Sequence, residues 1–208
     1  AREDLELVAE MAQKYDFYVL SDEIYSRLVF EGEHFSIASL PGMKERTIIV
    51  DGMSKTYAMT GWRLGYAAGP REVVNWMSKI IANTASCTAT FTQLAGIEAL
   101  TGPQDDVEKM RQEFMARRDI IVKGLNEIPG VTCRMPHGAF YVFPNIKSFG
   151  KTSKEIADYL LYNAGVACLA GTDFGCYGEG YLRLSYATSR ENIAIALERI
   201  RTALAELK

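Results

Sequence analysis

The 208-residue chain has 23 basic and 26 acidic residues, a net charge of −3 and 48% hydrophobic residues. This balance provides no basic surface for nucleic acid or an anionic membrane, and no apolar run approaches the ~20 residues of a membrane-spanning helix. The acidic, amphipathic N-terminus is not expected to be a signal or transit peptide. The four cysteines have no metal-ligand spacing, so we predict no metal site and a reducing, cytoplasmic setting.

The first half of the chain alternates amphipathic helices with short apolar strands, which predicts an α/β fold with a mostly parallel sheet. The predicted elements are helices over 3–15, 70–81 and 91–100, and strands over 16–23, 46–54 and 63–69. Because the first helix leads directly into a buried strand, we expect the chain to begin in the middle of a fold.

The second half starts with a long charged helix over 103–127, whose charge on most faces predicts a solvated connection between two domains. The elements predicted after it are a strand–turn–strand over 131–146, a helix over 152–164 capped by Thr152 or Ser153, a strand over 166–170, a glycine-rich loop over 171–180, a strand over 181–187 and a helix over 189–207 capped by Ser189. We therefore expect one domain over 1–105 and a smaller α/β domain over 106–208 that includes the long helix.

Lys55 directly follows the end of the second predicted strand, where ligands bind in open α/β sheets. A desolvated lysine near another cation has a lowered pKa and attacks carbonyl carbons. Ser54 offers a hydroxyl, and Arg63 a planar group suited to a phosphate. This set of groups suits pyridoxal phosphate, although a Ser-Lys pair by itself is far more often part of a solvated loop.

The stretch Gly52–Gly65, G-M-S-K-T-Y-A-M-T-G-W-R-L-G, resembles the lysine signature of class I and II pyridoxal-phosphate-dependent aminotransferases, which have fold type I. The resemblance implies that Lys55 forms the Schiff base with the cofactor and moves the proton at the substrate Cα. It also implies that Ser54 and Arg63 bind the cofactor phosphate.

A second segment, S-D-E-I-Y over 21–25, resembles the same family at the end of the first predicted strand. The resemblance implies that Asp22 pairs with the pyridine nitrogen and that Tyr25 hydrogen-bonds the cofactor O3′. A carboxylate at that nitrogen keeps it protonated and makes the ring a better electron sink. By itself, Asp22 is typical of an acidic residue in solvent at the end of a strand. Tyr25 by itself is equally typical of a tyrosine in the core.

The third segment, Y-L-R-L-S-Y-A over 181–187, resembles the arginine strand of the family. Strand alternation places Tyr181, Arg183 and Ser185 on one face of the strand. It places Leu182, Leu184 and Tyr186 on the other face. The resemblance implies that Arg183 binds the substrate α-carboxylate, whereas the pattern alone indicates only an exposed arginine.

The resemblance spans the whole chain but only about the C-terminal half of the family, so we expect a fragment that needs the N-terminal part of the same protein and forms a homodimer. It implies an aminotransferase with a ping-pong Schiff-base mechanism, with aspartate and 2-oxoglutarate as leading substrates and alanine, aromatic amino acids and prephenate open. A β-lyase or decarboxylase on the same fold, or a non-catalytic half-fold, remains an alternative. The fragment alone is not expected to transaminate well.

Overall fold

The structure, a computed structural model, describes residues 2–207. The chain divides into two compact units, Ala1–Glu108 and Lys109–Lys208, each continuous in sequence. The assignment of 1–105 to a large cofactor-binding domain and of 106–208 to a small domain stays a prediction.

The described part of the chain contains the six predicted helices in order, together with the unpredicted helical turn α2, and all the predicted strands except the first of the pair over 131–146. The helices are α1 (Arg2–Lys14), α2 (Met53–Thr56), α3 (Arg71–Thr84), α4 (Thr90–Thr101), α5 (Asp105–Asn126), α6 (Ser153–Ala164) and α7 (Arg190–Glu206). The strands are β1 (Val19–Asp22), β2 (Thr47–Gly52), β3 (Gly65–Ala68), β4 (Tyr141–Val142), β5 (Leu169–Ala170) and β6 (Leu182–Ser185).

The sheet of the first unit has the order β1-β2-β3. Strands β1 and β2 are parallel, with Asp22 opposite Val50, whereas β3 runs antiparallel to β2 with Gly65 opposite Gly52. The C-terminal ends of β1 and β2 and the beginning of β3 therefore share one edge of the sheet. This edge is where parallel α/β sheets bind ligands.

The packed core of the first unit lies between α1 and the 3₁₀ turn Ile37–Ser39. Its helices α3 and α4, by contrast, present large apolar side chains to solvent; these include Trp76, Ile80, Ile81, Phe91, Leu94, Ile97 and Leu100. Helix α3 has no buried residue, and α4 buries only Thr92 and Gly96. The first unit therefore carries extended unpacked apolar faces.

The sheet of the second unit has the order β4-β6-β5, with both pairings antiparallel. The predicted strand–turn–strand over 131–146 is wrong in its first arm, where only Thr132 forms a bridge, to Asn145. Arg134 and Met135 beyond it are exposed, and Pro136 lacks the N–H that a ladder needs. The arm is therefore an irregular connection.

The core of the second unit is built from α5, α6 and α7. Its buried residues include Ile121, Val122, Leu125, Ile156, Leu160, Ile193, Leu197, Ile200 and Leu204. Gly124 leaves no room for a side chain against Leu197, so α5 and α7 approach closely. The expectation that the long helix is solvated is thus wrong for its C-terminal half, where even Arg118 is only 5% exposed and donates to the Pro136 carbonyl oxygen at 3.1 Å.

No helix among residues 2–207 has the combination of length and apolarity needed to cross a membrane.

Candidate functional site

Asp22 lies at the open edge of the first sheet because β1 ends there. The backbone N–H of Glu23 still donates to the Val50 carbonyl oxygen at 2.8 Å, which extends the pairing with β2 by one residue. The chain then turns, with Ser26 N donating to Glu23 O at 2.8 Å, and Tyr25 lies within this turn, half-buried. The Asp22 carboxylate is exposed, and its Oδ1 accepts a hydrogen bond from Ile24 N at 3.1 Å, so the local backbone fixes one of its oxygens.

A polar network that the sequence reasoning missed lies beside Asp22. The side chain of Glu23 is only 9% exposed. Its Oε1 accepts from Ser36 Oγ at 2.6 Å and from Ser21 Oγ at 3.1 Å, and its Oε2 is 2.9 Å from His34 Nε2. Burial acts to raise the pKa of Glu23, but the hydrogen bonds from Ser36, His34 and Ser21 outweigh it and hold that pKa below its usual value.

This network fixes the end of β1. Ser21 and Glu23 alternate with Asp22 along an extended backbone, so their side chains leave on the opposite side from Asp22. The network therefore stabilises the end of the strand through one face, while the Asp22 carboxylate on the other face stays accessible. The S-D-E spacing was the available signal, since it places two polar side chains on a face that a plain buried strand would leave apolar.

Lys55 lies on the single helical turn α2, which begins immediately after β2. Met53 and Thr56 are buried in this turn, whereas Ser54 and Lys55 are partly exposed. The Met53 N–H donates to the Leu64 carbonyl oxygen at 3.1 Å, which joins the turn to the chain entering β3. The two buried neighbours thus fix the turn that carries Ser54 and Lys55 at the sheet edge.

Arg63 lies at the same edge of the sheet because it precedes β3, which runs antiparallel to β2. It follows the 3₁₀ turn Thr60–Trp62 and has a left-handed backbone with φ of +54°. Such a backbone cannot continue a strand, so the predicted strand over 63–69 begins only at Gly65. The exposed side chain donates from Nη1 to the Thr60 carbonyl oxygen at 2.9 Å. A non-glycine residue held in this conformation costs free energy and is typical of functional loops.

Two glycines allow the chain ends to come together at this edge. A Cβ on Gly52 would lie 2.8 Å from the Leu64 carbonyl oxygen and 2.8 Å from the Gly65 Cα, so no other residue fits between the strands. The segments at this edge of the sheet carry an amine, a carboxylate, a phenol, a hydroxyl and a guanidinium. Their chemistry matches the aldehyde, pyridine nitrogen, O3′ and phosphate of pyridoxal phosphate, so the residues present fit that cofactor.

A cavity of about 720 Å³ in the first unit lies beside Arg63. Its walls are mainly apolar and come from the loop at Trp62, the end of α3 at Ile81 and the start of α4 at Phe91. Neither Lys55 nor Asp22 lines it. The arrangement of chain ends at the sheet edge, and not this cavity, therefore defines the candidate site.

Arg183 belongs to the second unit and lies in the middle of β6. Leu182 is 2% and Leu184 6% exposed, whereas Arg183 is half-buried on the other face, which confirms the predicted alternation. Its guanidinium carbon lies 4.6 Å from the ring centroid of Tyr141 and 4.1 Å from that of Phe174. The roles predicted for Asp22, Tyr25, Ser54, Lys55, Arg63 and Arg183 stay predictions.

Comparison with known proteins agrees with this fold. Residues 1–200 match the family model described as aminotransferase class I and II. The chain is 46% identical over 210 residues to an aspartate aminotransferase of Pyrococcus abyssi and 45% identical over 210 residues to aromatic-amino-acid aminotransferase 2 of Thermococcus litoralis. Each match covers 100% of this chain and 54% of the relative, so the chain spans about half the length of the curated relatives it matches.

Solved structures give the same answer for the fold. The structure superposes on that of an aromatic aminotransferase from Pyrococcus horikoshii with a TM-score of 0.96 and 44% identity, covering 99% of this chain and 56% of the other. Neighbours of this kind have fold type I, which confirms the predicted α/β class. Enzymes of this family use pyridoxal phosphate. The chain therefore belongs to the class I and II aminotransferases, the family that its lysine stretch resembles.

Proposed function

We propose that this chain is about half of a pyridoxal-phosphate-dependent aminotransferase that moves an amino group between an amino acid and a 2-oxo acid. The observation that carries the proposal is the meeting of three chain segments at one sheet edge. Asp22 ends β1, Lys55 follows β2 on the turn α2, and Arg63 precedes β3, which pairs with β2. Membership of the family and a cofactor-compatible set of side chains support the same conclusion.

Each residue of the first unit has one task in this proposal. Pyridoxal phosphate, when bound, withdraws electrons from the substrate Cα and carries the amino group between the two half-reactions. Lys55 would hold the cofactor through Nζ and would move the proton at the substrate Cα. Asp22 keeps the pyridine nitrogen protonated, Tyr25 hydrogen-bonds O3′, and Ser54 and Arg63 donate hydrogen bonds to the phosphate.

Arg183 binds the substrate α-carboxylate in the proposal. A guanidinium presents parallel N–H groups that match a carboxylate in two hydrogen bonds and orient it. Aspartate with 2-oxoglutarate is the leading substrate pair, because several of the most similar relatives are named aspartate aminotransferases. Aromatic amino acids are the main competing donors, because other relatives at similar identity are named for them. The proposal also includes a homodimer and a cytoplasmic location. The N-terminal part of the same protein would complete each subunit.

A β-lyase or decarboxylase is the second candidate activity, because it would use Lys55 and Asp22 in the same positions. It differs in its products. Release of pyruvate or of carbon dioxide in the absence of a 2-oxo acid would identify these reactions, whereas an aminotransferase stops after one amino-group transfer until a 2-oxo acid is added. A non-catalytic half-fold predicts no product at all.

The proposal is tested with Lys55→Ala in the protein completed to the length of its relatives, with Lys44→Ala at an exposed lysine as the matched control. Borohydride reduction and peptide mass mapping should find the cofactor on Lys55 in the wild type and in Lys44→Ala. Lys55→Ala should lose this adduct and lower transamination by at least about a thousandfold, as expected for removal of a covalent and proton-transferring group. Retained turnover in Lys55→Ala would remove Lys55 from its role.

A further inference from the structure

Two aromatic rings contact Arg183 from the two neighbouring strands of its sheet. Tyr141 lies on β4, where it pairs with Ser185, so it is the diagonal neighbour of Arg183 on the same face. Phe174 ends the 3₁₀ turn Gly171–Phe174 that follows β5 on the other side of β6. The ring centroids lie 4.6 and 4.1 Å from the guanidinium carbon, within the range of favourable cation–π contacts.

The turn that carries Phe174 is firmly joined to β6. Gly171 N donates to the Tyr181 carbonyl oxygen at 2.8 Å at the base of the turn. The buried Ser153 Oγ accepts from Gly180 N at 2.8 Å and from Tyr181 N at 3.2 Å, just before β6 begins. These bonds fix the base of the turn beside β6, and the turn places the half-exposed ring of Phe174 next to Arg183.

A third aromatic side chain, Phe143, contacts one of these two rings. Phe143 stacks on Tyr181 with ring centroids 5.3 Å apart and an interplanar angle of 15°. It also meets Phe174 edge-on at 6.4 Å. Phe143 has no described ring contact with the guanidinium itself, so it belongs to the same aromatic cluster without contacting Arg183.

Ring contacts restrict an arginine without using its hydrogen-bond donors. An aromatic ring attracts the guanidinium over its face, whereas the N–H groups point outward in the guanidinium plane. A long arginine side chain otherwise loses much rotamer freedom when it binds an anion, which weakens binding. Rings that fix the side chain beforehand remove part of this cost and leave the donor edge available for a carboxylate.

We propose that Tyr141 and Phe174 are positioning residues that hold the Arg183 guanidinium ready to bind a carboxylate. The inference rests on the proposed function for the identity of that carboxylate, the α-carboxylate of an amino acid. The ring contacts and their effect on Arg183 are properties of this chain alone.

The first measurement concerns this chain without cofactor or substrate. The Arg183 Nε–Hε signal is assigned in an NMR spectrum by its disappearance in Arg183→Lys. It should shift in Phe174→Leu and in Tyr141→Leu, because each loses a ring current, and should keep its position in the control Tyr162→Leu, which removes an exposed ring on α6 that does not contact Arg183. Tyr141→Phe, which retains the ring, should also leave it in place. An Arg183 signal that does not move in either ring variant overturns the inference.

The second measurement separates positioning from structure in the completed enzyme. Phe174→Leu and Tyr141→Leu should each raise KM for the amino acid about tenfold, equivalent to about 1.4 kcal/mol of binding free energy, with kcat changed less than twofold. Tyr162→Leu should change neither constant. Equal losses in kcat, or unchanged KM in both ring variants, contradict the positioning role.

Arg183→Leu distinguishes failure of this inference from failure of the proposed function. If Arg183→Leu raises KM and the ring variants do not, only the positioning inference fails. If Arg183→Leu leaves KM unchanged, the carboxylate-binding role of Arg183 fails, and the inference fails with it.

Discussion

Gly52 and Gly65 face each other across the β2–β3 ladder with no space for a side chain between them. Their close approach brings the turn that carries Lys55 and the loop that carries Arg63 to one edge of the sheet. The close contact between these two backbones therefore supports the positions of Lys55 and Arg63 at this edge.

Gly52→Ala should therefore destabilise the first unit and separate these groups. The new Cβ would lie 2.8 Å from both the Leu64 oxygen and the Gly65 Cα, and backbone cannot yield as a flexible side chain does. We expect a loss of about 1–3 kcal/mol in the free energy of unfolding, typical of overpacking. Both tryptophans, Trp62 and Trp76, lie in this unit, so their fluorescence during denaturation measures it.

Gly61→Ala is the matched control, since a Cβ at Gly61 meets nothing within 4 Å. It should change the free energy of unfolding by no more than about 0.5 kcal/mol. If Gly52→Ala and Gly61→Ala were equally stable, β2 and β3 would accommodate the added Cβ without a loss in the free energy of unfolding. The role assigned to Gly52 would then be wrong.

Glu23→Gln should destabilise the first unit in a pH-dependent way. The pKa of Glu23 in the folded chain lies below its ordinary value of 4.5, so its charged form contributes stability above that value. This contribution is lost as the pH falls through the lowered pKa of the folded state. We expect a difference of about 1–2 kcal/mol between wild type and variant at pH 7, from hydrogen bonds to a carboxylate. It should shrink progressively below about pH 4.5.

Denaturation monitored by tryptophan fluorescence at pH 7 and at pH 4 checks this dependence. The exposed Glu33, in the segment that also carries His34, provides the control variant Glu33→Gln, which should match the wild type at both values. A Glu23→Gln deficit that is the same at both pH values would contradict the proposed charge dependence.

Ser153→Ala should loosen the segment that leads into β6. Ser153 is fully buried, and its Oγ accepts hydrogen bonds from the N–H groups of Gly180 and Tyr181. Each N–H keeps a second acceptor, Glu179 Oε1 at 2.9 Å for Gly180 and the Gly178 carbonyl oxygen at 3.1 Å for Tyr181. Losing the Ser153 bonds therefore costs about 0.5–1.5 kcal/mol and not the full desolvation of these groups. The amides of Gly180 and Tyr181 should therefore exchange hydrogen about tenfold faster, which NMR or mass spectrometry measures.

Ser148→Ala is the comparison for this change. The Ser148 hydroxyl is exposed and donates only to the Gly130 carbonyl oxygen among the described residues. Exchange at Gly180 and Tyr181 should be unaffected by it. If Ser148→Ala accelerated those amides as much as Ser153→Ala, the effect would be general destabilisation and not loss of the Ser153 bonds.

The four cysteines should differ in reactivity toward alkylating agents. Burial raises the pKa of Cys133 and of Cys168 to about 11, whereas Cys87 and Cys176 are exposed. At pH 8 only about one in a thousand molecules then carries a thiolate at Cys133 or Cys168, and the thiolate is the reactive form. Peptide mapping after brief iodoacetamide treatment should find Cys87 and Cys176 modified first; preferential modification of Cys133 would contradict its burial.

Local patterns in the sequence were sufficient for much of this fold. Thr152 caps α6 with Glu155 in a reciprocal capping box, and Ser189 caps α7, as predicted from their spacing. The alternation in β6 was also correct because a half-buried strand has a strict period of two. The helices were recognisable in the same way from their periodic apolar residues.

Long-range features were not readable from local patterns. The predicted strand over 63–69 begins two residues later because Arg63 adopts a left-handed backbone, which no composition rule foresees for arginine. The C-terminal half of α5 is rich in charged residues and yet buried. Its Arg118 can be buried because it donates hydrogen bonds to the Pro136 carbonyl oxygen and to the Asp119 carboxylate. The Glu23 network also depends on His34 and Ser36, which are distant in sequence from the strand.

The unpacked faces of α3 and α4 affect how the folded state of this chain is monitored. Fluorescent dyes that report unfolding do so by binding apolar surface that folding normally hides. Here Trp76, Ile80, Phe91 and Leu94 are already exposed in the native structure. Such a dye should therefore be bright before heating begins and should brighten little on melting, so a bright, flat dye trace does not by itself identify a denatured sample.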